Sequence, residues 1–416
     1  MSRPKTTHIE FSVLDLFCGA GGLSSGFEEA GFRLQMSVDN NKAALATYRH
    51  NFKDTVLESD LSLVSDFVGE LPQSTVIIGG PPCQGFSSAG LRRQGDARNT
   101  LVSSFAHAVC HLMPSAFVFE NVEGFLTHEN GYHIFELLEP LIQVGYRIHL
   151  RKINSANYGV PQHRKRVVAI GGLGWNPQFP MPTHTAFGAP GAGLVTREHP
   201  LTPTIDEALE GLPVATQMPP GDIQGHYYRP PIGLDLERAV ALKPGQKMAD
   251  LPEHLQHESY RRRAFRRVQD GTPSDRRGGA PTGIRRLVGN EPSKAITGGA
   301  RAEFFHPHEH RPLTLRECAR LQTFPDHFIF CGNQAEQMQL IGNAVPPRLA
   351  HAIATSLAFD LKHNVSDCSK EGALLSFVPT FSEGYSPVLR RVTDDVTNRF
   401  MKRPTLACHE ELILWT

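Results

Sequence analysis

"FSVLDLFCGAGGLSSGFEEAGFRLQMSVD", residues 11–39, decides how the rest of the chain is read. With the three residues before it the opening run reads "HIEFSVLDLF", short, apolar and bounded by turn residues, which marks a buried strand. "CGAGG" follows as a loop, then "LSSGFEEAG" as a short helix that Gly31 stops. "FRLQMSVD" is a second strand ending on Asp39. A glycine loop between strand and helix offers free N–H groups at a helix start, and glycine lets a ligand approach them. Asp39 stands where a carboxylate can take two ribose hydroxyls. The dinucleotide fingerprint is not met, because Ser24 occupies the place of its third glycine. A nucleotide-type cofactor without a pyrophosphate fits as well or better, S-adenosylmethionine being one. A tight turn with no ligand is the alternative.

Outward from this unit the rhythm continues. "NNKAALATYRHNF" reads as a helix and "DTVLESDL" as a third strand reaching Asp60. "STVIIGG" is a fourth strand and delivers Cys83 in "GGPPCQGFSSAG". "LVSSFAHAVCHLMP" is a helix stopped by Pro114, and "AFVFENV" a strand carrying Glu120 near its end. A further helix, "HIFELLEPLIQVG", and the strands "YRIHLRKIN" and "RVVAIGGL" follow. Strand–helix alternation predicts an α/β fold with a doubly wound, mostly parallel sheet. Sites in such sheets form at the carboxyl ends of strands. Asp39, Asp60, Cys83 and Glu120 fall at four such ends.

After about Trp175 the rhythm is lost to Pro- and Gly-rich sequence. Residues 260–287 then concentrate nine arginines, Arg261, Arg263, Arg266, Arg267, Arg285 and Arg286 among them, against two aspartates. Such a run suits phosphate contacts, and arginine also reads guanine edges; a solvated basic face is the bland alternative. Regular structure returns with the helix "TLRECARLQTFPDHF" and with another behind "GNAVPP". From about Asn364 onward no periodicity is legible. The chain has equal numbers of Lys+Arg and Asp+Glu, so total charge points to no particular partner. No apolar run approaches the ~20 residues of a membrane span. Seven scattered cysteines without a C-x-x-C pair fit a reducing interior and give no zinc site, so a cytoplasmic protein without metal is expected. "HPHEH", with His306, His308 and His310, reads as a solvated polar turn.

A cysteine in a Pro/Gly loop is placed to react, whereas most cysteines are small core hydrophobes. A carboxyl at the neighbouring strand end, Glu120, can hydrogen-bond a ring nitrogen of a bound base, and donates a proton if burial keeps it neutral. Ser87 and Arg98 can fix the loop or bind phosphate.

With these residues in place, the sequence resembles the DNA (cytosine-5)-methyltransferases of the prokaryotic restriction-modification type. "DLFCGAGGLSSGF" resembles the cofactor loop, "GGPPCQGFS" the Pro-Cys nucleophile loop and "FENV" the Glu-Asn-Val motif. "YGVPQHRKRVVAIG" resembles the Gln-x-Arg-x-Arg motif, and "LTLRECARLQTFPD" and "GNAVPP" the last two. The six occur in family order over residues 11–174 and about 311–358. The resemblance implies the S-adenosylmethionine-dependent methyltransferase fold with a smaller, irregular target-recognition domain. It divides the chain into a catalytic domain (1–174), a target-recognition domain (175–310), a return to the catalytic domain (311–363) and a tail of unknown role (364–416).

By the same resemblance, Cys83 attacks carbon 6 of a cytosine flipped out of duplex DNA, and carbon 5 takes a methyl from S-adenosylmethionine. Glu120 engages ring nitrogen 3, while Arg164 and Arg166 anchor the cytosine or support Glu120. Phe17 packs on the adenine; Gly19, Gly21, Gly22 and Leu23 pass the methionine part. Asp39 takes the ribose and Asp60, with Leu61 beside it, the adenine amine. Pro81, Leu101, Asn343 and Ala344 close the pocket. Asn40 departs from the family, which often has a bulky apolar residue there. Gln84, Ser87, Arg261, Arg263, Arg266, Arg267, Arg285 and Thr297 face the DNA. The implied enzyme is a monomer, with a restriction endonuclease sharing its site but not bound to it. The branch acting on transfer RNA carries a Cys-Phe-Thr signature where this chain has Gln322 in "QTF". A catalytically silent binding module would lack Cys83 or Glu120.

Overall fold

The computed structural model describes residues 11–82, 101–186, 199–217, 223–258, 260–261, 283–363, 371–380 and 385–401. Eight strands form the central sheet: β1 (Ser12–Leu16), β2 (Arg33–Asp39), β3 (Thr55–Glu58), β4 (Val76–Gly79), β5 (Ala116–Val122), β6 (Tyr146–Asn154), β7 (Lys165–Leu173) and β8 (Ala373–Val378). Their spatial order is β8-β6-β7-β5-β4-β1-β2-β3. All neighbours pair parallel except at β7, which runs antiparallel to β5 and β6. From β1 the chain builds outward through β2 to β3, then returns to place β4 on the other side of β1. That reversal is the switch point where open α/β sheets bind ligands.

Alternation along the strands feeds two cores. Leu14, Leu16, Ile77, Phe117 and Phe119 point to one face, against helices α3 (Leu101–Leu112) and α4 (Tyr132–Gln143). Val13, Val76, Ile78 and Val118 point to the other, against α1 (Gly22–Glu29) and α7 (Pro347–His363). With a period of two, the central strands β1, β4 and β5 bury both faces, as a doubly wound sheet requires.

A third core includes Cys18 and Ala20 of the glycine loop. Tyr48 and Phe52, from the region of α2 (Lys42–Asn51), meet Leu315 and Cys318 of α5 (Leu315–Leu321) and Ile341 of α6 (Gln334–Asn343). Ile205, Leu287 and Ile296 of the middle region join it. That region has a small core of its own around Met248, Leu251 and Phe305.

The stretch after Asn364 is more ordered than its sequence suggests. β8 extends the sheet beside β6, and α8 (Pro387–Phe400) buries Val392 and Val396 in the first core. α8 starts in a standard way: the Ser386 hydroxyl accepts from the Leu389 N–H, with Pro387 in the first turn. No described helix is long and apolar enough to cross a membrane.

Candidate active site

The glycine loop leaves β1 at the switch point. The N–H groups of Phe17 and Cys18 both donate to the Val38 carbonyl, at 2.9 and 3.1 Å, which turns the chain sharply. Phe17 takes a left-handed φ of 65°, an uncommon conformation for a side-chain-bearing residue. Gly19 follows with φ 54°, and a Cβ there would meet no protein atom within 4 Å, so its outer face opens on free space. Gly22 is a glycine for another reason: a Cβ would collide with the Val345 carbonyl of the "GNAVPP" turn. Gly21 (φ 87°) precedes α1, and Leu23 is buried in its first turn.

Ser24, which breaks the dinucleotide fingerprint, is buried and has a polar task. Its hydroxyl donates to Asp15 Oδ2 (2.5 Å) and accepts from the Tyr48 hydroxyl (2.7 Å). Ser37 lies between Tyr48 (2.6 Å) and Asp54 (2.8 Å) and continues the chain. Burial pushes the Asp15 carboxyl well above the usual range. A glycine at 24 would leave Asp15 without this donor. Asp39 ends β2 beside the loop: Oδ2 accepts from Gly19 N–H (2.9 Å) and Oδ1 from Asn41 N–H (2.8 Å). Each oxygen keeps a lone pair for a ligand hydroxyl. Asn40 and Asp60 are exposed; Asp60 Oδ1 accepts from Ser62 N–H (2.9 Å), and Leu61 is buried behind it.

Glu120 rises from β5 next to the end of β4, where Gly79 pairs with Phe119. A Cβ on Gly80 would come within 3.2 Å of Glu120 Oε2, so that carboxyl stands against the chain leaving β4. Arg166 Nε lies 2.8 Å from Oε1. The N–H is poorly aimed, and Oε1 is buried without a hydrogen-bond partner among the described residues. Burial pushes the Glu120 carboxyl up, with Arg166 and Arg164 pulling the other way. Pro81 is buried, with its carbonyl 3.5 Å from the Asn121 amide. Cys83, Gln84, Ser87 and Arg98 lie outside the described residues. Leu101, at the start of α3, is buried.

Arg164 and Arg166 have different places. Arg164 is fully buried and donates to the carbonyls of Ile296 (2.7 Å), Gly342 (2.8 Å) and Ala344 (2.9 Å). It reaches Glu120 through charge, and its hydrogen bonds go to backbone. Two side chains that the sequence reading gave no role complete this clamp. Gln162 donates to the Leu321 carbonyl and to Gln322 Oε1, both at 2.7 Å, and accepts from Ile296 N–H at 2.9 Å. Gln322 donates to the Ile341 carbonyl (2.5 Å). The clamp brings Thr297 beside the "GNAVPP" turn, because the Thr297–Gly298 backbone lies directly against Gly342. Thr297 and Asn343 are both exposed there, with Ala344 half-buried.

The arginine run divides. Arg286 is buried and donates to the carbonyls of Leu242, His306 and Glu309, so it holds the middle region together and does not face solvent. Arg285 is half-buried, and Arg261 is half-exposed and pairs with Glu253 at 2.6 Å. Arg263, Arg266 and Arg267 lie outside the described residues. In "HPHEH", His308 pairs with Asp206 (2.7 Å) and His310 lies 3.0 Å from Arg286, so this turn braces its surroundings.

Residues 11–358 match the family described as C-5 cytosine-specific DNA methylase. The chain is 35% identical over 368 residues to the Type II methyltransferase M1.HphI of Haemophilus parahaemolyticus, covering 86% of this chain and 89% of that protein. It is 32% identical to the Type II methyltransferase M.AgeI of Thalassovita gelatinovora, over 83% of this chain and 98% of the other. In structure it is similar to a candidate DNA modification methyltransferase encoded in an E. coli prophage. There the TM-score is 0.59 and the identity 26%, with 85% of this chain and all of that one covered. With its glycine loop, its buried glutamate and its doubly wound sheet, the chain belongs to the C-5 cytosine-specific DNA methylase family.

Proposed function

We propose that this chain methylates carbon 5 of a cytosine flipped out of duplex DNA, with Cys83 as the nucleophile and Glu120 as the proton donor. One observation carries the reading: a buried carboxyl of raised proton affinity stands against Gly80, three residues before Cys83. Three residues of chain reach at most about 11 Å, so the sequence separation lets Cys83 work beside Glu120.

The thiolate of Cys83 adds to carbon 6, forming a carbon–sulfur bond and pushing electrons toward nitrogen 3. Glu120, whose proton affinity burial raises, gives that nitrogen a proton, and Arg166 stabilises the carboxylate left behind. S-adenosylmethionine, when bound, supplies an electrophilic methyl at carbon 5. A base then takes the carbon-5 proton, the carbon–sulfur bond breaks and the nitrogen-3 proton returns to Glu120. A stacked base cannot be reached this way, so flipping is required.

The residues present fit that cofactor. The open face of Gly19 and the spare lone pairs of Asp39 suit a nucleoside with a short chain and no pyrophosphate. By the family resemblance, Phe17, Gly21, Leu23, Asp60, Leu61, Pro81, Leu101 and Asn343 line or support the same pocket. Residues 175–310 read the site, through Thr297 and the arginines of 261–285. The chain acts as a monomeric modification enzyme, sharing its site with a restriction endonuclease.

The test is a duplex containing 5-fluorocytosine with S-adenosylmethionine present. A stable protein–DNA adduct mapping to Cys83, absent in Cys83→Ser, is expected. Turnover of Cys83→Ser near that of the wild type sinks the covalent role.

A further inference from the structure

Between β5 and α4 lies a turn that the methylation chemistry does not use. His128 Nδ1 and His133 Nε2 face each other at 3.2 Å. Glu129 Oε2 lies 3.6 Å from the same His133 Nε2, and the three donor atoms fall within 4.8 Å of one another. Two ligands at about 2.0–2.2 Å from a tetrahedral zinc ion stand about 3.3–3.5 Å apart. The observed separations bracket that spacing.

The other ring nitrogen of His133 supports the same conclusion. Nδ1 lies 2.6 Å from Glu136 Oε2, and Ser103 of α3 donates to Glu136 Oε1 at 3.1 Å. A carboxylate on the second nitrogen is the usual support of a metal-bound histidine, because it fixes the tautomer and aims the lone pair. With Nδ1 held by Glu136, His133 turns Nε2 toward His128 Nδ1 and the Glu129 carboxylate, 3.2 and 3.6 Å away, so a cation placed between them would meet all three.

The backbone is bent to suit. Glu129 and Asn130 both take left-handed conformations, φ 48° and 56°, at a cost of order 1–3 kcal/mol each. Val392 of α8 closes on Gly131 from behind. His133 is buried, while the Glu129 side chain keeps 34% of its surface exposed, which leaves a path from solvent.

We infer that His128, Glu129 and His133 bind one divalent transition-metal ion, with Zn²⁺ the best match to two imidazoles and a carboxylate. A water would complete four-coordination. The ion would pin the strained turn between β5 and α4 and, through Glu136 and Ser103, the first turn of α3.

The full-length protein, stripped with chelator, is titrated with Zn²⁺ and, for its visible spectrum, Co²⁺. One equivalent per chain and a tetrahedral Co²⁺ spectrum without thiolate charge transfer are expected. Affinity should fall more than tenfold in His128→Ala and in Glu129→Gln, with circular dichroism confirming the fold. Glu136→Gln should weaken it by about 10–100-fold. Zn²⁺ should raise the wild-type unfolding temperature and leave that of His128→Ala unmoved. No binding overturns the inference, as does equal affinity in wild type and His128→Ala or a thiolate spectrum.

Discussion

Glu120 is buried beside Arg166, whose Nε lies 2.8 Å from its Oε1, and burial outweighs that partner in setting its proton affinity. A carboxyl at its ordinary pKa, about 4.3, would be ionised at neutral pH and have no proton to give. Burial raises it. The sign follows: a folded pKa above the unfolded one favours the protonated native state. The stabilisation is complete below the unfolded value and fades as pH rises through the folded one. Glu120→Gln should therefore flatten stability across that window. It should also cut the single-turnover methylation rate by about 10²–10⁴-fold and remove the alkaline limb governed by this group. Arg164 holds backbone carbonyls, whereas Arg166 lies against the Glu120 carboxylate. Arg164→Ala leaves the buried carbonyls of Ile296 and Gly342 without this donor, at about 1–3 kcal/mol each, so urea unfolding should show a loss of at least about 2 kcal/mol. Both arginines are legible in "QHRKR" as candidate anchors. Which one turns inward is not, because the carbonyls that Arg164 holds come from residues 296, 342 and 344. Gln162 and Gln322 stand in motifs, but their place in the clamp is not legible for the same reason: they bond each other and backbone groups of residues 296, 321 and 341.

At the level of elements, the strands of residues 11–174 are legible because buried strands are short apolar runs between turn residues. Strand direction is not written in such a run, and nothing in "RVVAIGGL" announces that β7 alone runs antiparallel. β8 and α8 were hidden differently. β8 is an edge strand, mostly half-buried, so "ALLSFV" lacks the full apolar character of β4, and α8 shows its core only two buried residues, Val392 and Val396. Those residues nonetheless join the main core with Leu374. Burying such a side chain contributes about 1.5–3 kcal/mol. A chain ending at His363 loses all three and bares the edge of β6, so it should melt lower and aggregate, as thermal unfolding followed by light scattering would report.

The whole molecule carries no net charge, so the proposed grip on DNA rests on where its cationic side chains sit. Each phosphate neutralised adds about 0.9 to the slope of log affinity against log salt. Replacing Arg263, Arg266 and Arg267 with alanine should weaken binding and lower that slope by roughly 2–3; an unchanged slope would return the run to the status of a solvated face. A last consequence comes from the packing of α1 against α7. Roughly 320 residues separate Glu29 from Pro347. At a ribosome's pace of about 5–20 residues per second, Leu23 and Phe27 wait on the order of 15–65 s for their cover. The turn that Gly22 fits arrives equally late, so a nascent chain broken off before residue 345 lacks the wall of its own pocket. Abandoned translation products therefore leave the genome unmarked.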